Sequence, residues 1–456
     1  MENRSRRQKR ILLGASLLVV AVALLVSFDD VRTYGGEDLR PRVLGARALL
    51  SGLDPYTYEV TPQTPETLLD HTRPFARITR ATYSPALLFL YGPLSDLPWG
   101  AQRAIWAALE WAALFGTVLV LALCLRRPRD RVALCAVASL CFAGSYFFRL
   151  HVERGQYYVF LALLLSLWCA GVVGRAGSRG ARPGTGAGTG AGPGESPWAG
   201  VPLGIAIALR PSLAVLIPLA FLLGLRRSAL GAILAALALA GLTLPLAGVS
   251  GWLHFVRHAG LIGRWALRDP ATLALLGKPV PVPAVLEGHD FSRLLPGLSG
   301  NTAIGGVLQA AFAGSSSALE TLRSWWPRVS PLLALGAVAA TLALVLWGGL
   351  RRRAVTTRLA LALVAALLVD YCLPIRISYA DVLFLPPLAL LLPALLSRRL
   401  PRVFPTLILT GFICGAAFAT VSWKIGYPGA LIRSALVMIG LLGACVWLSF
   451  PRRFRA

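Results

Sequence analysis

Along this chain, apolar positions do not alternate with polar ones. They run on in blocks of roughly 17 to 25 residues, each long enough as a helix to cross a hydrocarbon core of ~30 Å. Full spans are predicted near residues 11–28, 101–125, 132–150, 156–173, 229–248, 329–350, 357–375, 380–397, 402–421 and 430–449. The pattern is that of an all-α, polytopic membrane protein with about ten full spans. Residues 83–98 are apolar too, but Pro85, Pro93 and Pro98 interrupt them, which predicts a half-buried helix in the outer leaflet.

Short basic clusters sit between the apolar blocks and set the sidedness. Arg126-Arg127-Pro-Arg129-Asp-Arg131, Arg351-Arg352-Arg353, Arg398-Arg399 and the tail Arg452-Arg453-Phe-Arg455 are expected in the cytoplasm, with both termini. Residues 198–224 preserve that parity only as two short helices hinged at Arg210-Pro211. A kinked or re-entrant hairpin is therefore expected, since Pro211 lacks an N–H and disfavours helix in the residue before it. This topology leaves two large outer loops, 29–100 and 249–328, and separates three regions. Residues 1–173 form an N-terminal membrane module, 174–197 a Gly-rich cytoplasmic linker, and 198–456 a C-terminal membrane module. No internal repeat of the kind that relates two transporter halves is visible.

Composition sharpens the class. Hydrophobic residues make up 56% of the chain and charged ones 14%, with a net charge of +25. The basic residues flank apolar runs, so the charge reads as orientation in a membrane and not as a nucleic-acid surface. Arg4, Arg6, Arg7, Lys9 and Arg10 precede the apolar run from Ile11 without a convincing cleavage site after it, which predicts an uncleaved first span. The cysteines form no CxxC pair or Cys/His cluster, and neither a disulfide framework nor a metal or cofactor site is expected.

Candidate chemistry begins at Asp38, just beyond the first span. Leu39, Val43, Ala46 and Leu50 follow helical spacing while Arg40, Arg42 and Arg47 fall elsewhere, which predicts an interfacial helix ended by Gly52 and Pro55. Asp38 either caps that helix or serves as a general base toward a hydroxyl, with Asp29, Asp30 and Glu37 as competitors for the role. In His151-Val-Glu153-Arg154-Gly155-Gln156, Glu153 and Arg154 either neutralise each other or leave Arg154 or Gln156 to face a polar head group. Arg210 lies within the apolar hairpin and needs a partner: an interfacial position reached by snorkelling, or a lipid phosphate. The second outer loop offers Trp252, His254, Arg257, His258, Arg264, Trp265, Arg268, Lys278 and Gly300-Asn301-Thr302. The last polar turn, Asp370 to Asp381, gathers ionisable groups with Ser378 and Tyr379; there Asp370 either forms a structural ion pair with Arg376 or is left for another role.

In order along the chain, these pieces resemble glycosyltransferase family eighty-seven, the polyprenol-phosphate-mannose-dependent mannosyltransferases of the GT-C superfamily. The matching pieces are Asp38 with Ala-Leu-Leu-Ser-Gly-Leu-Asp-Pro-Tyr56, then Tyr83-Ser-Pro85 and Trp106, Gly155-Gln156, Leu209-Arg210-Pro211, Gly300-Asn301 and the turn before Asp381-Val-Leu. Arg210 stands where the family usually has Lys, and Ser378-Tyr379-Ala-Asp381 replaces a Trp-and-His pattern.

The resemblance implies a GT-C fold and an inverting transfer of a sugar, mannose by family default. The donor would be a polyprenyl-phosphate-linked sugar and the acceptor an extracytoplasmic glycan or glycolipid, with membrane lipids as neighbours. Asp38 would then be catalytic, and Tyr56, Arg154, Gln156, Arg210, Lys278, Asn301 and Tyr379 would bind substrate, at the outer face of the cell membrane. A lipid or solute transporter or flippase is the alternative that shares the same composition.

Overall fold

A computed structural model of the protein describes residues 2–33, 36, 38–58, 64–68, 81, 83–178, 196–266, 316–347, 354–372, 378–397, 400–420 and 423–449. Every regular element among them is helical. The first half comprises α1 (Glu2–Thr33), α2 (Leu39–Leu50), α3 (Pro85–Tyr91), α4 (Trp99–Cys124), α5 (Pro128–Val137), α6 (Tyr146–Arg154) and α7 (Tyr158–Ser178). The second comprises α8 (Val201–Leu209), α9 (Leu216–Leu222), α10 (Arg226–Ala266), α11 (Ser316–Trp347), α12 (Val355–Cys372), α13 (Leu385–Leu396), α14 (Val403–Thr420) and α15 (Trp423–Ser449).

Among the described residues, five segments are long and apolar enough to cross a membrane: Arg10–Thr33, Trp99–Cys124, Arg226–His258, Val355–Cys372 and Tyr379–Leu396. Pro128–Ala143 and Tyr146–Arg154 make a sixth if taken together, although they bend by 62°. The expected count of ten full spans is thus met only in part. One expected span, 132–150, is this bent pair, where the helix passes through a π turn at Ala138–Ala143 and is restarted by Ser145, whose hydroxyl accepts the Phe148 N–H.

Burial sorts the helices. α12 and α13 are buried along most of their length and lie at the centre with α7 and α4. α1 and the first part of α10 bury little and present Leu17, Leu18, Leu25 and Phe28, and Leu230, Leu234 and Leu237, outward. Such apolar faces on all-apolar helices are what lipid requires.

The hairpin forms as the sequence indicates. α8 ends at Leu209, Arg210 is extended, and a 3-10 turn from Pro211 to Val215 leads into α9. The carbonyls released at that hinge are not left bare, because the Ser84 hydroxyl, which caps α3 through the Leu87 N–H, reaches the Ala208 carbonyl at 2.8 Å. α8 meets α10 at backbone contact: a Cβ on Gly200 would lie 1.8 Å from the Ser228 oxygen and one on Gly204 2.3 Å from that of Ala232.

The segment between α1 and α4 corrects one expectation. α2 is not a helix lying on a surface with its arginines in water. Arg40 and Arg42 are buried with Leu39, Val43, Leu44 and Ala46, while Leu50, assigned to the packed face, is exposed. The arginines are accommodated because each finds a partner within the protein. Arg40 lies 3.9 Å over the Trp99 ring, and Arg47 donates to Ser95 O at 2.7 Å and Thr67 O at 2.9 Å. Gly52, at φ 72°, ends the helix as expected, with Leu53 N–H bonded back to Ala48 O.

Candidate active site

Asp38 stands at the first turn of α2, yet its side chain caps no amide of that helix. It points instead to the turn between α6 and α7. Gln156 Nε2 donates to Asp38 Oδ2 in a close contact, Arg154 Nη1 lies 3.7 Å from the same oxygen, and the Asp38 N–H bonds to Arg154 O at 3.2 Å. The carboxylate is 24% exposed, so one edge stays open. Arg154 therefore serves Asp38, beyond any neutralisation of its neighbour Glu153.

The orientation of Gln156 follows from Arg42. That guanidinium is fully buried; Nη1 donates to Gly155 O at 2.7 Å and Nη2 to Gln156 Oε1 at 2.6 Å. An arginine only donates, so it must face the amide oxygen and turns the amide nitrogen toward Asp38. Arg42 is held between the rings of Tyr83 and Tyr157, 4.5 and 5.2 Å from their centroids. Burial by itself would lower its pKa; the Tyr83, Tyr91 and Asp38 oxygens outweigh that and raise it well above the usual range, so it carries charge throughout.

The turn itself depends on Gly155, which sits at φ 68° where other residues are strained. A Cβ there would lie 2.7 Å from that of Leu39 on α2. The absence of that Cβ lets α2 approach closely enough for Asp38 and Gln156 to meet.

A row of aromatic rings leads away from this point. Tyr83 meets Tyr157 edge-on at 6.4 Å, Tyr157 stacks on Tyr158 at 4.8 Å, and Tyr158 lies 5.4 Å from Tyr379. Tyr379 is buried and lies within the electrostatic reach of Asp38 and Arg42. At the far end, Arg210 Nη1 donates to the Tyr158 hydroxyl at 2.6 Å and Nη2 makes a close ion pair with Asp370. Asp370 thus serves Arg210; Arg376 lies outside the described residues. Arg210 meets the need for a partner inside the protein and not by snorkelling.

Asp38, Arg154, Gln156, Tyr379 and Arg210 therefore belong to one connected cluster. Tyr56 bears on it indirectly: its buried hydroxyl donates to Tyr83 O at 2.7 Å, and its ring packs 5.9 Å from Phe255. Burial pushes the Tyr56 hydroxyl far up the pH scale, so it remains a donor. Lys278, Asn301 and Glu37 fall outside the described residues. His254 pairs with Asp54 in the loop after α2, and Asp381 binds Arg433 and Ser434 in a buried knot away from the row. Among the described residues, no three His, Cys, Asp or Glu side chains gather closely enough to share a metal ion.

Sequence reasoning gave no site role to Arg42, Tyr157, Tyr158 or the Asp370 partner of Arg210, and named Tyr83 only within a matching piece. Arg103 and Glu110, which support the turn from below, carried a usable signal: each is an ionisable residue inside an otherwise apolar block.

With this geometry in place, the chain matches one family model. The model described as Glycosyltransferase family 87 fits residues 81–279, a stretch that holds Tyr83, Arg154, Gln156, Tyr158 and Arg210 and stops short of Asp38 on its N-terminal side. No curated protein and no solved structure matches the chain.

Proposed function

From the match of residues 81–279 to that glycosyltransferase family, we propose that this chain transfers a sugar from a polyprenyl-phosphate donor to a hydroxyl of an extracytoplasmic glycan or glycolipid. Mannose is the sugar the family suggests. The observation that carries the reading is the tie between Asp38 and Gln156 with Arg154, which binds a carboxylate outside the matched stretch to residues within it.

In this reading Asp38 takes the proton of the acceptor hydroxyl as its oxygen bonds to the anomeric carbon. The bond from that carbon to the phosphate oxygen breaks on the opposite face, inverting the centre, and polyprenyl phosphate leaves with the electron pair. Gln156 and Arg154 fix the orientation of the Asp38 carboxyl, as positioning of a base requires. Arg210, paired to one oxygen of Asp370 and to Tyr158, is a fixed cation at the other end of the aromatic row, suited to the charge developing on the departing phosphate. A lipid-borne donor suits outward apolar faces such as those of α1 and α10.

The test is incubation of the purified protein with polyprenyl-phosphate mannose, or with nucleotide sugars in a parallel arm, and a panel of glycan and glycolipid acceptors, with products read by mass spectrometry. Product only from the lipid-linked donor is the expected result. Product from a nucleotide sugar, or lipid movement across proteoliposomes without product, would overturn the reading.

A further inference from the structure

One face of α4 converges on the turn that carries Gln156. Arg103, Trp106 and Glu110 lie three and seven residues apart, and so share that face. Arg103 Nη2 donates to the Val152 and Glu153 carbonyls at 2.6 and 2.7 Å, closing the end of α6. Trp106 Nε1 donates to Gln156 O at 3.2 Å. Glu110 Oε1 lies 2.8 Å from His151 Nδ1 at an angle that makes no hydrogen bond, and both side chains are wholly buried.

His151 brackets the turn from both sides. Its carbonyl accepts the Gln156 N–H at 3.0 Å, and its ring Nε2 accepts the Val159 N–H at 3.1 Å. An imidazole that accepts at Nε2 is neutral and carries its proton on Nδ1, the atom that faces Glu110. Phe148 stacks on the ring at 5.8 Å and Tyr379 meets it edge-on at 6.5 Å, fixing its plane. Burying an acid and an imidazole together inside an apolar block is costly, and neither touches Asp38 directly.

We infer that Glu110 and His151 form a positioning pair for the proposed transfer: Glu110 orients the imidazole, the imidazole pins the Gly155–Tyr158 turn, and the turn presents the Gln156 amide that holds Asp38. This rests on the proposed role of Asp38, so the test needs one readout that does not. Glu110→Leu removes the polar group facing Nδ1; Glu110→Gln keeps a carbonyl there and drops the charge. His151→Gln keeps an acceptor for the Val159 N–H and loses the ring that faces Glu110.

Hydrogen–deuterium exchange over residues 152–160, in detergent and without substrate, reads the turn itself. Transfer kinetics read the consequence. Glu110→Leu is expected to speed exchange over residues 155–159 and to lower kcat about 10- to 100-fold, as misplacement by about an ångström does, with donor KM nearly unchanged. Glu110→Gln is expected to restore both readouts, and His151→Gln to fall between. Exchange unchanged in Glu110→Leu would overturn the inference, as would a loosened turn with full kcat, or a Gln variant as impaired as the Leu one. If wild-type protein transfers no sugar, the proposed function fails, and the exchange of the Leu and Gln variants still decides whether Glu110 holds the turn.

Discussion

A guanidinium sealed from water must direct its N–H groups at fixed acceptors, and Arg42 directs two of them at Gly155 O and Gln156 Oε1. A lysine keeps the charge but cannot span both acceptors. Arg42→Lys is expected to leave a folded protein whose kcat is down by about tenfold or more; steady-state kinetics on matched amounts of purified protein check this. Arg42→Ala, which leaves the tyrosine cage empty and Gln156 free to flip, is expected to destabilise by about 3–5 kcal/mol in thermal or denaturant unfolding. At this scale the sequence singled out Asp38, because an acid heading a helix just beyond an apolar block stands out. It hid Arg42, because a helical wheel for α2 sends the arginines to the polar side and cannot foresee Tyr83 and Tyr157 closing over one of them. It hid the Arg210–Asp370 pair for a similar reason: the two lie 160 residues apart and the nearer candidate, Arg376, was the natural choice.

Helix ends and turns do most of the positioning. Ser84 both caps α3 and satisfies a carbonyl at the α8 hinge, so Ser84→Ala is expected to cost about 1–2 kcal/mol in stability. Its unfolding curve against wild type decides this. The loop after α2 is held to α10 by Asp54 and His254. Burial alone would raise the Asp54 pKa, but the Tyr56 N–H and His254 bond its oxygens and lower it below the ordinary carboxylate value. A carboxyl held low when folded adds stability above its unfolded value, about 4, and loses it as pH falls through the lower folded one. Acidification below about pH 4 is therefore expected to lower the wild-type melting temperature more steeply than that of Asp54→Asn. The Arg210-Pro211 hinge and the stop at Gly52 were legible because Pro and Gly act locally. The 62° bend after Ala143 was not, since its π turn arises in a run of ordinary apolar residues.

Across the whole molecule the apolar blocks identified the class correctly. Among the described residues five of them, or six with the bent pair, are long and apolar enough to cross. An apolar run records that a segment avoids water and not whether it crosses straight. Blocks near 132–150 and 156–173 resolve into bent or shorter helices, while the most uniformly buried blocks, α12 and α13, form the centre and not the rim. The contact of α8 with α10 is set by backbone, not by side chains that can yield. Gly204→Leu is therefore expected to abolish folded protein in the membrane fraction, whereas Gly174→Leu, where nothing lies within 4 Å, is expected to accumulate normally. The arrangement as a whole carries Asp38 to the edge of a cluster that runs to Arg210. The most direct test of its purpose is single-turnover transfer from polyprenyl-phosphate mannose by wild type and Asp38→Asn, with folding matched by melting temperature. A rate at least ~10²-fold lower for Asp38→Asn, with donor still bound, is the expected result. Equal rates in the two proteins would contradict the role given to this carboxylate.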